Sequence, residues 1–343
     1  MEIRKKVLII KLSSMGDVIF NIPLANVLKD NGYEVSWLTS EKGIDIVKDN
    51  PCVDKVFFAP VEKWKKSGNY FANIKEILSI IKELRKEKFD IALDTQMRIK
   101  SLPFTLFCGA KRRIVNKDAK ELSQFGANEK VNFSNKNQEF HVLDNYLAFA
   151  KHLGLNTDNI KMTFPESSAE VKQSVDKLLE NLDRTKPIAV IAPSTTWIGK
   201  HWDKDNWREL VSKIEDKFSL IYTGMKENQE MTDYIKGKGI DLTGKTSRKE
   251  LVEVLKRADL VISLDSGTTH LAWAVGIPKI LSIFCCTPSK IYAPRGDENK
   301  YKSAENTLCK PCHHKKCPKT ENKYICTKSP SVEEVYEKII KMM

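Results

Sequence analysis

The sequence predicts an α/β protein of two doubly wound, parallel-sheet domains that face one another across a cleft. Three observations carry this. At 343 residues the chain is longer than one ordinary domain and suits two. Short β-branched apolar runs alternate with amphipathic helical patterns, as in a parallel sheet covered on both faces. The alternation pauses at a polar stretch, FPESSAEVKQ (164–173), and restarts at 188. Domains are therefore expected over 1–168 and 169–328, with 329–343 a closing helix that returns to the N-terminal domain.

In the first half, strands are expected at KVLIIKL (6–12), EVSWLT (34–39), KVFFA (55–59), FDIALDT (89–95) and RRIVN (112–116). Between them NIKEILSIIKELRKEK (73–88) sets Ile74, Ile77, Leu78, Ile81 and Leu84 at helical spacing on one stripe. In the second half, strands are expected at IAVIAPS (188–194), SLIYTG (219–224), IDLTG (240–244), ADLVISLDS (258–266) and KILSIF (279–284). Helices are expected at NWRELVSKIEDK (206–217) and SRKELVEVLKRA (247–258). The final segment, SPSVEEVYEKIIKMM, sets a Ser-x-x-Glu cap ahead of a helical pattern.

Forty-one per cent apolar residues can build real cores, and no apolar run of about 18 residues is present to span a membrane. The start, MEIRKKVLIIKLSS, has a short apolar run broken by Lys11 and no small-residue cleavage site, so it reads as a first strand. The net charge of +12 suits nucleic acid, a phosphorylated small molecule or an anionic membrane face, and equally a solvated lysine-rich surface. Absence of a basic tail and of aromatic-basic interleaving argues against nucleic acid.

Ligands of such sheets bind beyond the carboxyl ends of the strands, so the chemistry is sought there. The first such turn, KLSSMGDVIFN (11–21), carries Ser13, Ser14, Gly16 and Asp17. One glycine in place of three argues against a nicotinamide dinucleotide fingerprint. By residue type alone Asp17 is an ordinary N-cap; at a cleft mouth the same carboxylate can take a proton. PSTTWIGKHW (193–202) ends a strand with Ser194, Thr195 and Thr196, and Lys200 follows close enough to share one anion. LVISLDSGTTHLAWAVGIP (260–278) brings Asp265, Ser266, Gly267, Thr268, Thr269 and His270 together where a strand opens into a helix. Gly267 lets a phosphate approach the backbone, and the helix N-terminus favours its charge.

KLSSMGDVIFNIP, TTWIGKHW and LDSGTTHLAWAVGIP together resemble the lipopolysaccharide heptosyltransferases, glycosyltransferase family 9, over essentially the whole chain. DTQMRIKS (94–101) and EKWKKS (62–67) look more like the branch, heptosyltransferase I, that adds the first L-glycero-D-manno-heptose to Kdo of lipid A. The resemblance implies a GT-B fold, ADP-heptose as donor, inversion at the anomeric carbon and no metal or cofactor in the chemistry. It places Asp17 as general base and Lys200 near the diphosphate. Thr195, Thr196, Asp265, Ser266, Gly267 and His270 match donor-binding positions. A donor-holding glutamate falls in GMKENQE (224–230), with Glu227 and Glu230 both open. Thr246 stands at a further donor position with a departing residue type, and Met97 stands where the family usually has glycine.

Ser14, Gly16, Lys63, Lys65, Lys66, Gln96, Arg98 and Lys100, with Arg112 and Arg113, are expected on the acceptor side. There the basic groups would meet the phosphates and carboxylates of Kdo–lipid A. The implied location is cytoplasmic, peripheral on the inner face of a Gram-negative inner membrane, with no nucleic-acid partner. The rival readings are heptosyltransferase II or another GT-B nucleotide-sugar transferase and, further off, a non-catalytic nucleotide- or nucleic-acid-binding protein.

Eight cysteines are present. Cys52, Cys108, Cys285 and Cys286 read as inert core thiols. Cys309, Cys312, Cys317 and Cys326 begin with zinc-like C-x₂-C spacing and continue irregularly, leaving structural zinc, free thiols and a late disulfide open.

Overall fold

The computed structural model describes residues 4–68, 70–135, 137 and 139–343, the side chains of 70 and 71 excepted. The chain divides into two compact units, Met1–Glu166 and Ser167–Met343. The first holds a six-stranded sheet of β1 (Lys6–Ile10), β2 (Glu34–Thr39), β3 (Lys55–Phe58), β4 (Ile91–Asp94), β5 (Arg112–Asn116) and β6 (Glu129–Val131). The second holds β7 (Ile188–Ala192), β8 (Ser219–Tyr222), β9 (Ile240–Asp241), β10 (Leu260–Leu264), β11 (Ile280–Phe284) and β12 (Tyr301–Glu305).

Every pairing is parallel. The orders are β3-β2-β1-β4-β5-β6 and β12-β11-β10-β7-β8-β9. Read from the other edge, the second order repeats the first. Each sheet thus has one topological switch point, between β1 and β4 and between β7 and β10, and a crevice opens at the carboxyl ends there. The central strands are buried on both faces, which is why they read as unbroken apolar runs: Val7 to Ile10 and Leu260 to Ile262 are at most 2 % exposed. β6 and β12 escape the sequence reading because they are short edge strands, EKV and YKSAE, each with one fully buried residue.

Three expectations change. The helix Tyr70–Lys86 buries Ile81 and Leu84 and packs Ile77 and Ile80 on the core, while Ile74 and Leu78 are exposed. The two exposed residues are four apart and so form a neighbouring row on the helix. The polar stretch at 164–173 is not all linker: Ser168 caps a helix over Ala169–Leu178, its hydroxyl accepting from the Val171 N–H. The last helix, Val332–Met342, belongs to the second unit rather than returning to the first. Val332, Val335, Ile339 and Met342 join the core formed by β7, β8, β10 and β11, and its Ser331 hydroxyl accepts from Glu334 N as the cap pattern requires.

Candidate active site

At the first switch point the chain leaves β1 as Lys11-Leu12-Ser13-Ser14 and enters a short helix, Met15–Phe20. Gln96, just past β4, holds this turn: its Oε1 accepts from Leu12 N at 3.0 Å and Ser13 N at 2.9 Å. Asp94 shapes the adjoining turn by accepting from the Gln96 and Met97 N–H groups and the Ser101 hydroxyl. Burial pushes the Asp94 carboxyl up to about 6. Met97, where a glycine is expected, takes the left-handed φ of 56° that glycine adopts freely.

Asp17 is not the N-cap: Ser14 holds that position, and Asp17 stands at the third helical residue. Its Oδ2 accepts from Ser14 N at 3.1 Å and Ser14 Oγ at 2.9 Å. It does more than partner the cap, however. Its Oδ1 accepts from the Tyr146 hydroxyl at 2.8 Å, and Lys11 Nζ lies 3.9 Å from Oδ2. Lys11 is 3 % exposed against 36 % for the Asp17 side chain, so a buried ammonium stands behind a carboxylate that reaches solvent. Burial works to raise the Asp17 pKa, but Lys11, the Ser14 N–H and the Tyr146 hydroxyl outweigh it and hold it below its ordinary value. Burial in turn lowers the pKa of Lys11, against the pull of Asp17 and Asp94. Lys11 and Tyr146 were not picked out as site residues in the sequence. A charge inside an apolar strand run is the signal for Lys11; Tyr146, on the helix Val142–His152, carries none.

The acceptor-side lysines divide. Lys100 bonds the Ser13 hydroxyl. Burial, then repulsion from Lys11, Lys65 and Lys42, lowers its pKa to about 8, so these cations share one field beside Asp17. Lys65 pairs with Glu62 at 2.9 Å, Lys63 with Glu76 at 2.5 Å and Arg98 with Glu121 at 2.8 Å, all exposed; Lys66 is also exposed. Gly16 lies in the first turn of the helix that Ser14 caps. Arg112 and Arg113 do not belong with these residues. They begin β5, so they stand at the amino edge of the sheet, opposite the ligand edge. Arg112 is held by both Glu129 oxygens, and Arg113 by the Gly126 and Ala110 carbonyls.

At the second switch point β7 ends at Ala192; Pro193 and Ser194 come next, and a 3₁₀ turn, Ile198–Lys200, follows. The His201 Nε2 lies 2.7 Å from Thr195 O and fixes this turn. Lys200 reaches across to the end of β10 and pairs with Asp265 Oδ2 at 2.6 Å; the two side chains are 17 % and 3 % exposed. The Thr287 hydroxyl donates to the same carboxylate at 2.6 Å, and His270 Nε2 lies 3.7 Å from its other oxygen. The Lys200 ammonium also sits over the Trp197 ring, 4.8 Å from its centroid. Ser266 stands at the N-cap position of the helix Gly267–Ala274, and its side chain makes no capping hydrogen bond. Two buried hydroxyl oxygens, Ser194 Oγ and Ser266 Oγ, have no hydrogen-bond partner among the described residues. Thr196 and Thr246 stand on the loops that follow β7 and β9; after β8, Glu227 lies in the 3₁₀ turn Lys226–Asn228 and Glu230 in the first turn of the helix Gln229–Ile235, both exposed.

The cysteine segment packs beneath this turn. Cys286, Cys309, Cys312, Cys317 and Cys326, with Gly199 and His314, line a cavity of about 270 Å³. Among the described residues no three His, Cys, Asp or Glu side chains are grouped to hold a metal ion, and all eight thiols are free. Burial pushes the Cys286 thiol up to about 12 and the Cys326 thiol up to about 11.

Known proteins bear on what these turns do. A curated relative, lipopolysaccharide heptosyltransferase 1 of Campylobacter coli, is 27% identical over 317 residues, which are 86% of this chain and 88% of the relative. A glycosyltransferase of family 9 from Veillonella parvula has a TM-score of 0.79 at 16% identity, covering 100% of this chain and 98% of its own. Escherichia coli heptosyltransferase WaaC, solved with ADP, has a TM-score of 0.74 at 21% identity over 98% of this chain and 100% of its own. The fold is therefore the GT-B fold of the heptosyltransferases. The profile of glycosyltransferase family 9 (heptosyltransferase) matches residues 77–323, and the chain belongs to that family.

Proposed function

We propose that this protein transfers L-glycero-D-manno-heptose from ADP-heptose to Kdo of lipid A, with inversion, in building the inner core of lipopolysaccharide. The observation that carries the reading is Asp17: an ionised carboxylate open to solvent at a switch point, with a buried lysine and a tyrosine hydroxyl behind it. In this mechanism Asp17 takes the proton from the attacking Kdo hydroxyl, a contribution of about 10²–10⁴ in rate. The acceptor oxygen bonds to the anomeric carbon as the bond to the diphosphate oxygen breaks, and ADP leaves with the electron pair.

Lys200 meets the charge that develops on the diphosphate, worth roughly 3–4 kcal/mol for one preorganised donor. Asp265 keeps that ammonium in place. Ser194, Thr195, Thr196 and Ser266 supply hydroxyls, and Gly267 and His270 the start of the adjoining helix. Glu227 or Glu230 holds the donor ribose or sugar, with Thr246 beside it. Protein cations neutralise the leaving group, so no divalent ion or cofactor enters the chemistry. Lys100, Lys65 and Lys63, with Lys66 and Arg98, face the acidic acceptor at an anionic membrane surface on the cytoplasmic side. The location is peripheral; among the described residues no helix is long and apolar enough to cross a membrane.

The deciding experiment supplies purified protein with ADP-heptose and either Kdo–lipid A or an acceptor already carrying the first heptose. Transfer to the first acceptor alone supports this reading. Transfer to the second alone moves the enzyme to the next step, and transfer to neither rejects the assignment.

A further inference from the structure

Beside the Asp17 turn the first unit displays an apolar surface that its own core does not use. Ile99, Leu122 and Phe125 are 53 %, 55 % and 68 % exposed, and Phe125 is the most exposed large apolar side chain described. They are neighbours although distant in sequence. Glu121 Oε2 accepts from Ile99 N at 3.3 Å, Lys120 N donates to Met97 O, and Phe125 N donates to Leu122 O. The segment is built outward. Glu121 and Leu122 both take left-handed φ values, 56° and 64°, which non-glycine residues hold only when their surroundings impose them. The 3₁₀ turn Ser123–Gly126 lies against the helix Leu102–Phe107 at Gly126, where a Cβ would come within 3.1 Å of Leu102 and Thr105 side chains. Close seating at Gly126 leaves Phe125 in solvent.

Scattered exposed leucines need no explanation; an apolar group held out together on a strained turn does. Its rim is basic. Lys117 and Lys120 are exposed on the same loop, and Arg98 flanks it, paired with Glu121. It is also continuous with the catalytic turn, because the loop that carries Ile99 carries Gln96 and Lys100, which hold Leu12 and Ser13.

We infer that Ile99, Leu122 and Phe125 form the membrane-docking face of the protein, entering the headgroup region of an anionic bilayer while Lys117 and Lys120 meet its phosphates. This rests on the reading that the acceptor sugar is lipid-anchored, and it explains how a turn beside Asp17 would come level with such a sugar.

The test sediments the full chain with vesicles of phosphatidylcholine containing a quarter phosphatidylglycerol, and with phosphatidylcholine alone. Wild type should partition to the anionic vesicles, and the triple variant Ile99→Ser, Leu122→Ser, Phe125→Ser should lose at least tenfold of that binding. Circular dichroism and melting check that it folds, and Phe125→Ser alone, with a smaller loss in the same direction, serves if the triple variant does not. Transfer to Kdo–lipid A in vesicles should fall with binding, while transfer to a deacylated, water-soluble Kdo acceptor should stay at the wild-type rate. Wild type remaining in the supernatant overturns the inference. So does a folded variant that sediments like wild type, or a wild-type dimer that the substitutions dissociate. Vesicle binding that depends on these residues without transfer to either acceptor overturns the proposed reaction and leaves the docking face standing.

Discussion

The hydroxyl of Tyr146 donates to Oδ1 of Asp17 at 2.8 Å, across 129 positions of sequence, and the same hydroxyl receives a hydrogen bond from Lys11 Nζ at 3.2 Å. A lysine ammonium has only donors, so the tyrosine oxygen must accept from it and turn its own proton to the aspartate. The result is a one-way chain from ammonium to hydroxyl to carboxylate, anchored in addition by the Thr95 carbonyl on Lys11. It keeps Asp17 ionised and oriented before any substrate arrives.

Lys11→Met removes the charge at the head of this chain. The Asp17 carboxyl, now held low by Lys11, should then titrate higher. The acid limb of kcat/KM should move to higher pH, by about one unit for a partly exposed carboxylate. Tyr146→Phe should move it the same way by less. A pH–rate profile checks both, and an unmoved limb would detach Lys11 from the base.

Asp17→Asn keeps the shape of the side chain and loses its ability to take a proton. Turnover should fall by about 10²–10⁴, with ADP-heptose binding by calorimetry within twofold of wild type. Turnover near wild type would assign the proton to another group.

Lys200→Ala should weaken ADP-heptose binding and slow transfer, together by roughly 10²–10³ in kcat/KM. It should also lower Tm, because Asp265 is left buried with the Thr287 hydroxyl as its closest donor; removing one partner of a buried pair costs about 3–5 kcal/mol. Lys200→Arg should restore stability better than rate. Kinetics unchanged by the alanine variant would refute the phosphate role.

Lys100 should set a pH limit on acceptor binding. Its pKa is lowered to about 8, so it is cationic below that pH and neutral above it. The KM for an anionic acceptor should therefore rise as pH passes through about 8. Lys100→Arg stays charged and should flatten the rise; a rise of the same size in the arginine variant would acquit Lys100.

Excess EDTA should leave the rate intact. A loss reversed only by a divalent ion would mean that Lys200 and its neighbours do not neutralise the leaving diphosphate by themselves.

The sequence disclosed what is local or repetitive. The central strands were legible because burial on both faces forces unbroken apolar runs, and Asp17 because an acid in a strand-to-helix turn marks a helix start, although Ser14 rather than Asp17 is the cap. The edge strands β6 and β12 were not, since a strand with one buried neighbour need not be apolar. Contacts made by the fold were equally hidden. Nothing in HVLDNYLAFA says that Tyr146 meets Asp17, and nothing near Lys200 says that Asp265 fixes it. The position of Arg112 and Arg113 was readable, because residues that begin a parallel strand lie at its amino edge, away from ligands.

The matching strand orders of the two sheets carry a consequence for how such proteins can diversify. Each half has its own complete core and its own crevice, one bearing Asp17, the proposed proton acceptor, and the other Lys200, the proposed cation for the leaving group. A gene cut and rejoined between residues 166 and 167 would separate the choice of which hydroxyl is glycosylated from the choice of which activated sugar is used. Chimaeras made at that joint should inherit one specificity from each parent.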